Sequence, residues 1–139
     1  MKRVVLDTNV VISACFWRGV CWQCLEAWAM DRFHALVSPP MLTEYAEVFE
    51  RLRQQHPEKP YVDWVSALRD AAELVFPAVK IPRVFLDPDD VVFAECAVAG
   101  EADVLVSGDK QHVQATGNVR GIPIMSPARF LGSLKTTGR

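Results

Sequence analysis

Asp7, Glu44, Asp90 and Asp109 are the residues of this chain whose types and spacing could do chemistry. Asp7 ends the apolar run Val4-Val5-Leu6. Glu44 lies in the first turns of a helix introduced by Ser38-Pro39-Pro40. Asp90 closes Asp87-Pro88-Asp89-Asp90, and Asp109 closes Ser107-Gly108-Asp109. Each falls at a strand-to-helix junction, and open parallel sheets bind ligands outside the carboxyl ends of their strands. Four acids meeting there are costly: two unit charges ~4 Å apart repel by about 4 kcal/mol at an effective dielectric near 20. Such a cluster must hold protons at raised pKa or hold cations. Lys110 is the one basic side chain at these junctions. Donors that are all oxygen suit a hard divalent ion, Mg²⁺ or Mn²⁺, rather than zinc. The chemistry natural to that ion is hydrolysis of a phosphodiester.

Each acid also has a plainer reading. Asp7 can cap a helix beginning near Asn9, and Glu44 can be a solvated helix residue like Glu47 and Glu50. Asp87, Asp89 and Asp90 suit the positive end of a helix, and Asp109 suits a turn. What favours a site is that all four fall at successive junctions. Thr8, Asn9 and Ser107 lie beside the acids and could hydrogen-bond the carboxylates in a supporting role, or bond only to the local backbone.

The elements that must position these residues follow from periodicity and breakers. Strands are expected at Arg3–Leu6, His34–Val37, weakly at Val79–Ile81, then at Asp103–Val106 and Ile122–Met125. Helices are expected at Val10–Phe16, Val20–Asp31, Met41–Gln55, Tyr61–Val75, Val91–Ala99 and Ala128–Leu134, with a short helical turn after Asp109 and fraying from Lys135 to Arg139. Strands alternating with helices imply an α/β fold, a three-layer α/β/α sandwich around a central, mainly parallel sheet of 4–5 strands.

Composition sets outer bounds. With 139 residues, half of them hydrophobic, residues 1–139 read as a single domain. A net charge of −2 argues only weakly against a nucleic-acid partner, because basic residues can collect on one face. No run is long enough to span a bilayer and no signal peptide is read, so a cytoplasmic protein with no membrane association is expected. Cys21-Trp22-Gln23-Cys24 has redox or half-zinc spacing, but its neighbours follow helical spacing and no second ligand pair completes a tetrahedral set. These cysteines are expected to be small core hydrophobes.

Four segments, “VVLDTNVVISA”, “SPPMLTEYAEVFERL”, “LDPDDVVFAECAVAGEADVLVSGDK” and “GIPIMSPARFL”, together resemble the PIN-domain family, in particular VapC-like toxin components of type II toxin–antitoxin systems. “LDTN” alone is unspecific; the ordered set is specific and covers nearly the whole chain. The resemblance implies a compact α/β/α nuclease that uses one or two Mg²⁺ or Mn²⁺ ions to cut RNA. Many such proteins are homodimers, and toxin members are blocked by a cognate antitoxin. By the same resemblance Asp7, Glu44, Asp90 and Asp109 are the catalytic and metal-binding acids, with Asn9 and Ser107 as polar companions. The chain departs from the pattern at Val91, where relatives often have a polar residue directly after the third acid. A helix turns ~100° per residue, so one of Asp89 and Asp90 faces the site, and Asp90 is preferred.

The leading expectation is therefore a metal-dependent endoribonuclease, the toxin of a toxin–antitoxin pair. Lys110, Arg51 and Arg53 are the candidate phosphate contacts. Phe16, Trp17 and Trp22 are candidates for stacking on bases, with at least two of them expected in the core or a dimer contact. One alternative is a phosphoacceptor receiver domain, which is expected to carry an acidic pair after the first strand, where this chain has Asp7-Thr8-Asn9. The other is a catalytically inactive scaffold of the same fold that binds RNA.

Overall fold

Three short apolar runs form the centre of a sheet because they are buried on both faces, as parallel strands flanked by helices must be. They are β1 (Arg3–Leu6), β2 (His34–Val37) and β4 (Val104–Val106), whose core residues are almost wholly inaccessible. The computed structural model describes residues 1–78, 80, 88–109 and 117–137. It also contains the strands β3 (Glu73–Leu74), β5 (Asn118–Val119) and β6 (Ile122–Met125). The helices are α1 (Thr8–Phe16), α2 (Val20–Ala29), α3 (Pro39–Gln55), α4 (Trp64–Ala71), α5 (Pro88–Ala99) and α6 (Pro127–Thr137). The sheet order is β3-β2-β1-β4-β6-β5, six strands instead of the four or five expected, all parallel except the β5–β6 pair.

That order reverses between β1 and β4. From β1 the chain winds outward through β2 to β3, then crosses back to lay β4 on the other side of β1. Right-handed crossovers place the helices that lead from β1 to β3 on one face and α5, which leads back from β3 to β4, on the opposite face, while α6 follows the last strand and packs with α2. In agreement, α1 packs with α2, α3 and α4, whereas α5 packs on β1, β2 and β4. The switch between β1 and β4 is where such sheets open a crevice.

Local chemistry sets the helix starts. Asp7 caps α1, its Oδ1 accepting from Thr8 N at 2.8 Å. Ser38 caps α3, its Oγ accepting from Met41 N, with Pro39 and Pro40 in the first positions where no N–H is needed. Asp63 caps α4 by accepting from Ser66 N at 2.9 Å. At the far end of α5, Gly100 lets the helix meet the sheet: a Cβ there would lie 2.8 Å from Leu36 Cδ1 and 3.2 Å from Val75 Cγ2. Phe33 and Phe130, ring centroids 5.0 Å apart and edge to face, seat α6.

Two expectations are corrected. The helix expected over Tyr61–Val75 is shorter: α4 ends at Ala71, and Glu73–Leu74 instead pairs with β2 as an edge strand. Arg3 and His34, both distant in sequence, bind the Glu73 carboxylate and hold this segment in the sheet. At its other end, residues 61–63 lie outside the helix, with Val62 N donating to Cys15 O and the Val62 carbonyl accepting from Trp64 N. The second correction is β5, which no apolar run announces. It is joined to β6 by Arg120 and Gly121, both at positive φ (49° and 85°), the two-residue turn that suits an antiparallel ribbon. The remaining helices differ at their ends, and α6 continues to Thr137, past the expected Leu134. The weak strand at Val79–Ile81, except for Lys80, and the helical turn after Asp109 lie outside the described residues.

Candidate active site

Asp7 reaches the crevice because β1 stops one residue before it. Its N–H still donates to Val106 O at 2.9 Å, so the residue is bonded to β4 as if the strand continued. Its side chain turns to cap α1 and is only 5% exposed. Oδ2 accepts from Ser107 Oγ at 2.6 Å and more distantly from Asn9 Nδ2 at 3.4 Å. All of its partners among the described residues are thus hydroxyl, amide or carboxamide, and none is a cation. Burial pushes the Asp7 carboxyl above its ordinary pKa. Its bonds to Ser107, Thr8 and Asn9 oppose this, and the negative charge of Asp109 adds to it.

Ser107 ties the two sides of the switch together. It is fully buried, donates to Asp7 and accepts from Asp109 N at 3.0 Å. Its own N–H donates to Met125 O on β6. Asn9 adds a second link, its Oδ1 accepting from Gly108 N at 3.0 Å. The Asp7-Thr8-Asn9 corner and the Ser107-Gly108-Asp109 corner therefore lock into one unit, with Asp109 half-buried beside Asp7.

Glu44 joins through Thr8, whose Oγ1 donates to Glu44 Oε2. The next residue, Tyr45, was not foreseen as part of the site. It occupies the apolar face of α3, as its spacing predicts, but its hydroxyl donates to Leu6 O, directly before Asp7. Tyr45 is fully buried, and its phenol is pushed well above the usual range by burial first, then by the charges of Asp7, Cys96 and Glu44. It fixes α3 at a set height against the end of β1, and with it Glu44.

Asp90 stands in the first turn of α5, its Oδ2 shielded from solvent. One turn on, Phe93 is buried, its ring centroid 6.2 Å from that of Tyr45. The same ring that positions Glu44 therefore also packs against the helix bearing Asp90. The side chain of Asp89, and the whole of Asp87 and Lys110, lie outside the described residues.

The structure thus brings Asp7 beside Asp109, joins Glu44 to Thr8, and holds Asp90 on a helix packed against the same strands. Among the described residues, no three acid, histidine or cysteine side chains are gathered into a group that could hold a metal ion. Outside the acids, Arg53 is bonded to Glu50 and Phe16 is buried in the core, whereas Trp17 is exposed. Cys24 is buried in the core, donates to Pro127 O, and burial pushes its thiol up to about 12. No helix among the described residues is long and apolar enough to cross a membrane.

The family model described as the PIN domain matches residues 3–111, which include all four acids. No curated protein matches the sequence with significance. Among solved structures, the chain is similar to one from Rickettsia felis, described as VapBC2 bound to a DNA fragment from its promoter. The TM-score is 0.56 at 16% identity, over 89% of this chain and 98% of that one.

Proposed function

The chain belongs to the PIN-domain family, and from that premise we propose that it is a Mg²⁺- or Mn²⁺-dependent endoribonuclease, the toxin of a toxin–antitoxin pair. The observation that carries the reading is the buried carboxylate of Asp7, held by Ser107 and Thr8 with no cation among its partners in the described residues and with Asp109 alongside. A carboxylate kept dry next to a second acid is destabilised in its charged form. A divalent cation relieves that penalty, and the all-oxygen donor set suits a hard one.

Asp7, Asp90 and Asp109 would hold the ion, with Glu44 binding it or orienting the attacking water. When bound, such an ion supplies Lewis-acid stabilisation of phosphoryl oxygens and activation of water. The chain's own residues prepare the site. Ser107 fixes the Asp7 carboxylate by donating to Oδ2 and fixes the backbone of Asp109 by accepting its N–H. Thr8 aims Glu44 by donating to Oε2. Burial of Asp7, Thr8 and Ser107 limits competing water at the carboxylate.

The partners that follow are an RNA substrate, a cognate antitoxin protein and a second copy of the chain as a homodimer. The antitoxin is supported by the similarity in fold to a VapBC2 chain. The receiver alternative finds no support at the Asp7-Thr8-Asn9 corner, where Asn9 stands in place of a second acid and is tied to Gly108. The inactive-scaffold alternative is decided by cleavage.

The test is cleavage of single-stranded RNA with Mg²⁺, Mn²⁺ or chelator, by wild type and Asp7→Asn. Wild type is expected to cut only with metal, and the variant to fall to background. Metal-independent cutting, or wild-type rates from the variant, would refute the assignment. In cells, expression of the wild type alone is expected to arrest growth, and Asp7→Asn to relieve the arrest.

A further inference from the structure

At the end of α1 remote from Asp7, two large rings face solvent. Trp17, which caps α1, is 47% exposed, and Tyr61, in the loop between α3 and α4, is 46% exposed. They are not loose side chains. Phe16, buried beneath them, has its ring centroid 6.0 Å from Trp17 and 6.1 Å from Tyr61. Phe49 backs Tyr61 at 5.3 Å, and the Val62–Cys15 backbone bond fixes the loop to α1.

Trp17, Tyr61 and Trp22 each have a cation over one face of the ring. Lys59 Nζ lies 5.2 Å from the Trp17 centroid, the Arg53 guanidinium 5.0 Å from Tyr61, and the Arg18 guanidinium 3.9 Å from Trp22. Two adjoining hollows, of about 150 and 240 Å³, share Tyr61 in their walls. Their linings carry Arg18, Arg53 and Lys59 against a single carboxylate, Glu50, which Arg53 itself bonds at 3.1 Å. In a chain of net charge −2, this is a local concentration of positive charge.

We propose that this face is a docking site for single-stranded RNA, with unpaired bases stacking on Trp17 and Tyr61 and the backbone phosphates meeting Arg53, Lys59 and Arg18. A ring with one face open to solvent and a cation on the other offers a nucleotide a partner for its base and one close by for its phosphate. The inference deepens the ribonuclease reading and rests on it, giving the enzyme a preference for unpaired strands. From Thr8 to Phe16, α1 covers ~12 Å at 1.5 Å per residue, which sets the separation along that helix between the acid corner and this face.

The test is equilibrium binding of a fluorescent single-stranded RNA dodecamer in chelator, where nothing is cut, with the same strand in duplex as comparison. Wild type is expected to prefer the single strand. Trp17→Ala and Tyr61→Ala are each expected to weaken it about tenfold, with Trp17→Phe retaining most of the affinity. Arg53→Gln with Lys59→Gln is expected to flatten the salt dependence by about 0.7 in log–log slope for each lost phosphate contact. Circular dichroism and melting confirm that each variant is folded. Equal binding by all folded variants would overturn the proposal and leave the face to a protein partner. A tryptophan emission component, absent from Trp17→Ala, that responds to protein concentration and not to RNA would overturn it in favour of a self-contact. Because binding is read without metal or cleavage, failure here is distinct from failure of the nuclease assignment.

Discussion

Asp7 occupies a position that a soluble fold would ordinarily give to a neutral side chain. Its pKa is raised chiefly by burial, so at neutral pH its ionised form opposes folding unless a cation compensates. Asp7→Asn is therefore expected to melt at a higher temperature than wild type in chelator. Divalent ions are expected to raise the wild-type melting temperature and leave the variant's unchanged, as thermal denaturation with and without Mn²⁺ would show. Glu44 and Glu47 form a matched pair on one helix. Glu44 receives the Thr8 hydroxyl and Glu47 is exposed, so Glu44→Gln is expected to abolish cleavage and Glu47→Gln to leave it at the wild-type rate. Exchanged outcomes would misplace the second acid. The meeting of Asp7 and Asp109 was legible because each follows a buried strand, where a carboxylate is an anomaly; Glu44 and Asp90 lie inside helices and carry no such mark. Tyr45 was not legible, because at its helical spacing a tyrosine reads as another core ring. The partner of its hydroxyl is a carbonyl 39 residues away, which no local pattern encodes.

At the scale of elements, the strands with continuous apolar runs matched the expected boundaries closely, since burial on both faces leaves a plain signature. β3 escaped because two residues carry no periodicity. What makes Glu73–Leu74 a strand is its pairing with Leu36 and Val37 and the grip of Arg3 and His34 on Glu73. The amphipathic pattern that runs through Tyr61–Val75 is real within α4, but Asp63 starts the helix late and Ala72, with ψ 159°, ends it early. The joint between α3 and β1 is the one on which the site most depends. Tyr45→Phe leaves the buried Leu6 carbonyl without its phenolic donor. It is expected to lower unfolding stability by about 1–3 kcal/mol in denaturant titrations. Because the same bond sets the height of Glu44, cleavage should fall in a variant that remains folded.

Across the whole molecule, charge is arranged with opposite consequences at the two ends of the sheet. At the end that receives the strands' amino termini, Arg3 bonds Glu73 through both terminal guanidinium nitrogens and His34 adds a third contact. Arg3 first, then His34, hold the Glu73 carboxyl down to about 2, from an ordinary 4.5. A carboxyl depressed in the folded state stabilises above its unfolded pKa and loses that contribution as pH falls through its folded one. Wild type is therefore expected to lose stability between pH 4.5 and about 2. In Glu73→Gln that component should be absent, and melting above the window should be lower, as a pH series of thermal denaturation would show. At the opposite end, Asp7 and Asp109 belong to halves of the chain that wind in different directions and meet only when β4 slots between β1 and β6. During synthesis this has a plain effect. The first strand is made at the outset and β2 soon follows, yet its other neighbour, β4, begins only at residue 104. Prematurely terminated chains that stop short of β4 would lack Asp109 and could not complete the pairing that brings it to Asp7.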